Sequence, residues 1–202
     1  MPAYAGTIDR VATINGKTWV LDLKTGRKSP KTHALQGAAY AIAYEQRHEV
    51  LVDGFCCVYL HPARPTRGKA YSLSTWVGDK STDWRNRWTD LVQDIEGEEV
   101  QAGASLTFDA EAHVYRLGEV ELPSVTTLIQ DLVTKKPYTG DPAYGIRGTR
   151  IHQATEWMDQ GELDGETRRH PDYIEWLDAW DHFKKDHQPT FSGIEERVWA
   201  AI

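Results

Sequence analysis

The sequence predicts an α/β fold, because segments with the pattern of β-strands alternate with segments of helical periodicity. An Asn15-Gly16 turn joins two strand-like runs near the start of the chain, and residues 30–43 then carry an apolar stripe at helical spacing. A second series of hairpin, helix and strand patterns begins at residue 106. The 202 residues include 40% hydrophobic side chains and eight tryptophans, which suffice for one sizeable core, so we expect a single domain over 1–202.

The predicted elements follow the chain in two halves joined by a linker. In residues 1–96 they are a strand over 6–12, a strand over 18–25, a helix opened by Ser29 and Pro30, strands over 53–60 and 69–77, and a helix from 81. Residues 97–105 are acidic and lack periodicity, which predicts the linker. In residues 106–202 they are a hairpin over 106–117, a helix capped by Ser124, a loop over 138–148, a helix from 148, a helix over 171–187 and a strand over 193–202.

Composition restricts the class of protein. The net charge of −7 argues weakly against a large nucleic-acid surface, because phosphate binding draws on clustered lysine and arginine. No stretch is long and apolar enough for a membrane span, and the first residues lack the features of a signal peptide, so we expect an intracellular protein. Cys56 and Cys57 are adjacent within a strand pattern and are expected to be buried; two cysteines form neither a disulfide framework nor an iron-sulfur ligand set.

The most informative stretch for chemistry is residues 18–26, an apolar strand that carries Asp22 and Lys24. Side chains two apart on a strand share a face, so this carboxylate and this ammonium project together. The preceding hairpin can bring Asp9 beside Asp22, and two carboxylates near a lysine form an oxygen site suited to magnesium or manganese. From the Asp-x-Lys triplet alone, an ordinary ion pair at a strand end is the more common explanation.

The next helix adds a third motif, in which Gln36 and Tyr40 lie one turn apart on one face. Gly-Thr-Ile-Asp, Asp-Leu-Lys-Thr-Gly and Gln-x-x-x-Tyr, in this order, resemble the RecB-type branch of the PD-(D/E)XK nuclease superfamily. The resemblance implies a restriction-endonuclease-like core, with a central mixed sheet flanked by helices. It also implies that Asp9 and Asp22 bind the metal, that Lys24 is the catalytic lysine, and that Gln36 and Tyr40 shape the site and hold DNA.

The second half carries two further motifs. Leu-Pro-Ser-Val-Thr-Thr followed by Gly-Thr-x-x-His resembles phage and bacterial RecB-like nucleases, in which this histidine is a metal ligand. The resemblance therefore implies that His152 is a ligand, and an imidazole favours manganese more than an all-oxygen site does. A glutamate on the strand before the Gly-x-x-Asp strand also lines the site in similar nucleases, which selects Glu195 and leaves Glu196 open.

Basic residues near these motifs are candidates for contacts with DNA. Arg27, Lys28 and Lys31 directly follow the central strand, although a solvated loop explains this cluster equally well. Arg150, close to the histidine in sequence, is a further candidate for DNA binding.

The order of the motifs differs from that of the family. In relatives the histidine helix and the glutamate strand come first, whereas in this chain residues 106–202 follow residues 1–96. Joining Ile202 to Met1 would restore the usual order, so the chain resembles a circularly permuted nuclease. A homo-oligomer in which two copies exchange halves is an alternative explanation.

Together these motifs predict a magnesium- or manganese-dependent deoxyribonuclease. Asp9, Asp22 and His152, with the backbone carbonyl of Leu23, would hold one or two ions that polarise the phosphate and acidify a water. Lys24 would position that water and offset the charge of the transition state. The resemblance implies an exonuclease of recombination, repair or phage DNA processing, with DNA and a recombination or phage replication protein as partners, in the cytoplasm of a bacterial host if phage-encoded.

Two other functions fit parts of the sequence. A catalytically silent DNA-binding or assembly module would keep the same fold, but it would not need the full set of Asp9, Asp22 and Lys24. A zinc hydrolase is disfavoured because neither His-x-x-x-His nor a cysteine pair with zinc spacing occurs. No iron-sulfur cluster is expected.

Overall fold

A computed structural model describes residues 3–61, 70–100, 103–135 and 142–202. Its strands are β1 (Ala3–Ile14), β2 (Lys17–Lys24), β3 (Gly54–Leu60), β4 (Tyr71–Val77), β5 (Leu106–Asp109), β6 (Val114–Leu117), β7 (Val120–Leu122) and β8 (Thr190–Ala201). Its helices are α1 (Pro30–His48), α2 (Asp79–Val92), α3 (Val125–Ile129), which continues as a π-helical turn over Gln130–Thr134, α4 (Pro142–Gln160), α5 (Gly165–Arg169) and α6 (Ile174–His187).

The main sheet has five strands in the order β4-β3-β2-β1-β8. Only β2 and β3 run parallel, which the intervening α1 permits, and the other neighbours are antiparallel. The predicted mixed sheet, with the strands of Glu195, Asp9 and Asp22 side by side, is thereby confirmed. A smaller antiparallel sheet, in the order β5-β6-β7, packs against the start of β1.

Helices cover both faces of the main sheet, as predicted for the α/β class. On one face α1, α2 and α3 enclose a core that includes Tyr4, Phe55 and Trp88. On the other face α4 and α6 enclose a core that includes Trp180 and Phe183. Val198 of β8 belongs to the first core, so both halves of the chain contribute to it. None of the helices within the described ranges has the length and apolar character that a bilayer crossing requires.

One local prediction was wrong. Residues 142–148 form the first two turns of α4, not a loop, because Pro142 suits a helix start and the rest of the helix continues through two glycines. Ser29 lies at the N-cap of α1 and Pro30 at its first turn, as predicted, although the Ser29 side chain caps no amide and its hydroxyl oxygen accepts a hydrogen bond from the Thr32 hydroxyl. Ser124, by contrast, accepts from the Thr127 amide as predicted.

Within residues 97–105, the described positions contain neither helix nor strand. The linker at this place, and the division of the chain on either side of it, stay predictions. Residues 62–69, which hold part of the predicted strand 69–77, lie outside the described residues, as do residues 136–141 of the predicted loop.

The close packing of α1 on the sheet predicts opposite effects for two helical glycines. A Cβ on Gly37 would lie within 2.9 Å of Phe55 Cγ, and the Phe55 ring is itself stacked on Trp76. We expect Gly37→Ala to lower the free energy of unfolding by about 1–3 kcal/mol through overpacking. Gly145→Ala is the control, because that Cβ would meet no atom within 4 Å, and the helix should gain up to about 1 kcal/mol. Urea denaturation of both variants tests this, and equal effects would contradict it.

Candidate active site

The candidate site lies where β1 and β2 separate. Their pairing ends at Arg10 and Leu21, whereas β1 remains paired with β8 as far as Ala3. Just beyond the last β1–β2 pair, the Asp9 carboxylate replaces a backbone acceptor: its Oδ2 accepts a hydrogen bond from the Leu23 amide at 2.7 Å. The opening between the strands therefore holds a carboxylate in a fixed orientation. Leu23 contributes its backbone amide to the site. That the Leu23 carbonyl binds a metal stays a prediction.

Three side chains from three elements converge at this opening. Asp9 on β1, His152 on α4 and Glu195 on β8 each offer one ligand atom, and these atoms lie within 4.8 Å of one another. The β1–β8 pairs on either side, Ile8 with Glu196 and Arg10 with Ile194, place Glu195 opposite Asp9. His152 Nδ1 is 3.5 Å from Asp9 Oδ2. Two carboxylates and an imidazole, all partly exposed, form a donor set that suits a divalent cation.

Asp22 and Lys24 lie next to this group and are paired with each other. Both carboxylate oxygens of Asp22 are 2.8 Å from Lys24 Nζ, and the Cys57 thiol donates to Oδ2 at 3.3 Å. Burial raises the pKa of Asp22 above its usual range, repulsion from Asp9 adds to this, and the attraction of Lys24 opposes it. Asp22 is not in the group of three ligand atoms, so its role as a metal ligand stays a prediction.

Gln36 and Tyr40 of α1 orient the lysine. Lys24 Nζ donates to Gln36 Oε1 at 3.0 Å, and Gln36 Nε2 in turn donates to the Tyr40 hydroxyl at 3.2 Å. Burial lowers the pKa of Lys24, but the attractions of Asp22 and Asp9 outweigh burial and raise it. Lys24 is therefore a fixed cation at neutral pH, which suits electrostatic stabilisation and water orientation better than proton abstraction.

Glu195 has an unusual backbone conformation and a perturbed carboxyl. Its φ is +50°, which is uncommon for a residue other than glycine and here falls inside a strand. Burial and the nearby Asp9 carboxylate raise the pKa of Glu195 to about 8, although Arg10 opposes the shift. Glu196 lies on the other side of β8, where its Oε1 is 3.1 Å from His48 Nε2. Of the two glutamates left open by the sequence, only Glu195 belongs to the ligand group.

The raised pKa of Glu195 predicts that metal binding depends on pH. In the absence of metal this carboxyl is protonated below about pH 8, and a divalent ion must displace that proton to bind. We therefore expect the Mn²⁺ affinity to rise by up to ~10-fold per pH unit as the pH increases toward 8. Calorimetry from pH 6 upward tests this prediction. A Glu195→Gln control should lose this part of the dependence, and an unchanged slope in that variant would contradict the assignment.

The basic residues proposed for DNA contact are exposed, whereas Gln36 is only partly exposed and Tyr40 is buried. Arg27, Lys28 and Lys31 follow β2, and the Lys28 ammonium lies 4.8 Å from the centroid of the Tyr59 ring. Arg150 is exposed on α4. Their contacts with DNA stay predictions.

The motifs do not single out Arg10, although it is 1% exposed and donates to Glu195. The only sequence signal for it is an arginine inside a strand that is otherwise largely apolar.

Cys56 and Cys57 are buried, as predicted from their strand pattern.

The fold and the site define an α/β protein in which a carboxylate–histidine group that could hold a cation lies beside a paired lysine. The family model of the PD-(D/E)XK nuclease superfamily matches residues 4–112, more than half of the chain. The chain belongs to this superfamily, whose members are generally nucleases that use divalent metals. The match includes Asp9, Asp22 and Lys24, whereas His152 and Glu195 lie outside it. Comparison with curated proteins finds no match, and neither does comparison with solved structures.

Proposed function

We propose that this protein is a metal-dependent DNA nuclease that hydrolyses phosphodiester bonds. The observation that carries the proposal is the convergence of Asp9, His152 and Glu195 within 4.8 Å, beside the Asp22–Lys24 pair, in a member of a nuclease superfamily. The group fits a divalent ion because it combines two hard oxygen donors with one nitrogen donor. Mg²⁺ and Mn²⁺ are the ions we expect, with Asp22 as an additional ligand.

Each part of the site has a defined task in hydrolysis. Asp9, Glu195 and His152 would hold the ion, and the Leu23 amide keeps the Asp9 carboxylate turned toward it. A divalent ion bound there would supply a Lewis acid for the phosphate and a water of lowered pKa. Lys24, held by Asp22 and Gln36, would donate a hydrogen bond to the attacking water and offset the negative charge that develops on the phosphate.

We further propose an exonuclease of recombination, repair or phage DNA processing, on the basis of the RecB-like motifs. The test is digestion of end-labelled linear DNA and of closed circular DNA, single- and double-stranded, with Mg²⁺, Mn²⁺ or a chelator. We expect the linear DNA to be lost with either metal, and the circles to persist. Cleaved circles would contradict the exonuclease. Retarded but uncleaved DNA in every metal would support the silent binding module instead.

We also propose that the two halves complete one site within one chain, as in a circularly permuted nuclease. The antiparallel pairing of β8 with β1, from Thr190 with Thr13 to Ala201 with Ala3, supports this arrangement. A rearranged protein, with residues 103–202 placed before residues 3–100, tests it. We expect this variant to cleave DNA as a monomer in size-exclusion chromatography, and cleavage that occurs only in a dimer would favour exchanged halves.

A further inference from the structure

A buried arginine lies directly behind the proposed metal site. Arg10 follows Asp9 on β1 and is 1% exposed. Its Nη1 donates to Glu195 Oε1 at 3.1 Å and to the backbone carbonyl of Asp9 at 2.6 Å. One guanidinium nitrogen thus bridges the two strands that carry the two carboxylates of the ligand group. The side chain does not reach solvent, so a direct contact with DNA is excluded.

The other edge of the guanidinium is anchored on the helices. Arg10 Nε donates to Asp159 Oδ2 at 2.8 Å, and the Asp159 side chain is fully buried. Asp159 also accepts hydrogen bonds from Trp180 Nε1 and Lys184 Nζ, each at 2.9 Å. Contacts from α4 and α6 therefore hold the planar guanidinium in place, and the same guanidinium donates to Glu195. A lysine could not make both contacts in this geometry, because its ammonium is a single point of charge without a planar fork of donors.

The Glu195 carboxylate needs such a partner. Its backbone has a positive φ of +50°, and its carboxylate lies within 4.8 Å of ligand atoms of Asp9 and His152. Within the described residues, Arg10 is the cation that donates a hydrogen bond to it. Arg10 thus lies between the buried Asp159 carboxylate and Glu195, and Lys184 is a second cation on Asp159.

We propose that Arg10 is a positioning residue: anchored by Asp159, it holds the Glu195 carboxylate opposite Asp9 in the geometry that binds the divalent ion. The proposal rests on the proposed metal site. If Arg10 acts in this way, the packing of α4 against α6 affects metal affinity, because it holds the Asp159 carboxylate that anchors the arginine. Outer partners of metal ligands typically contribute ~10–100-fold to affinity or activity, which sets the size of the effect.

The test is a double-mutant cycle on Mn²⁺ affinity, measured without DNA from the electron paramagnetic resonance signal of free Mn²⁺. Arg10→Lys is compared with the parent protein in the wild-type and in the Glu195→Ala background. We expect Arg10→Lys to weaken Mn²⁺ binding by ~10-fold or more when Glu195 is present. When Glu195 is absent, we expect a further change below about twofold, because the arginine acts through that carboxylate.

A merely structural arginine would give a different result. An equal loss of Mn²⁺ affinity in both backgrounds, or no loss in either, would overturn the proposal. Arg168→Lys is the matched control, because Arg168 also pairs with two carboxylates, those of Asp178 and Asp181, and this substitution should leave Mn²⁺ affinity unchanged. If circular dichroism shows that Arg10→Lys is unfolded, Asp159→Asn replaces it in the same cycle, with the same coupling expected. Wild-type protein that binds Mn²⁺ but does not cleave DNA would overturn the nuclease function alone.

Discussion

Replacing Lys24 with alanine is expected to abolish DNA cleavage while leaving the ligand group in place. The substitution removes the ammonium that Asp22 and Gln36 hold in position, together with the charge that would stabilise the transition state. Loss of one such preorganised donor typically lowers the rate by about 10²–10³-fold. The measurement is the single-turnover rate of digestion at saturating Mn²⁺, combined with Mn²⁺ affinity.

The control for this prediction is Lys17→Ala, an exposed lysine on the same strand. It should cleave DNA at the wild-type rate. Lys24→Ala also removes the cation that faces the buried Asp22 carboxylate, so the melting temperature must be measured for both variants. A folded Lys24→Ala protein with normal cleavage would exclude Lys24 from catalysis and with it the proposed mechanism.

Replacing His152 with alanine is expected to remove both metal binding and cleavage. His152 is the sole nitrogen donor in the ligand group, and it comes from the half of the chain outside the family match. Its loss should weaken Mn²⁺ binding by more than the ~10–100-fold that substitution of an outer partner causes. Calorimetry with Mn²⁺ measures this directly. The fold should persist, because the side chain is partly exposed and lies outside both main cores.

An exposed histidine on a neighbouring helix provides the control. His182→Ala on α6 should bind Mn²⁺ and cleave DNA as the wild type does. If His152→Ala kept full Mn²⁺ affinity, the carboxylates of the sheet would suffice to hold the ion. The α4 helix would then contribute no ligand, and His152 would be excluded from the metal site.

Local patterns were enough to predict the strands of the first hairpin, whereas the place of β8 beside β1 was implied by the motif resemblance. The Asn15-Gly16 turn fixes the β1–β2 hairpin, and the apolar run through Asp22 and Lys24 marks β2 as a buried strand. The alternation on β8 places Glu195 and Glu196 on opposite sides, although only the motif resemblance favoured Glu195. The hairpin and the alternation on β8 depend on residues close together in sequence, so they can be predicted from the sequence alone.

Contacts between distant residues were not accessible in this way. Arg10 meets Asp159 across 149 positions of sequence, and no periodicity links the two. The hydrogen bond from the Cys57 thiol to Asp22 likewise depends on the parallel register of β2 with β3, and the sequence does not determine that register. The early start of α4 was missed because Gly145 indicates a loop when its surroundings are unknown.

Anomalous diffraction tests most directly whether the two halves of the chain build one divalent-metal site. Crystals of the wild-type protein grown with Mn²⁺ would be measured at the manganese absorption edge. We expect a peak in bonding contact with Asp9, His152 and Glu195. A peak bound by other residues, or no peak at a concentration of Mn²⁺ that supports cleavage, would contradict a site built by the two halves.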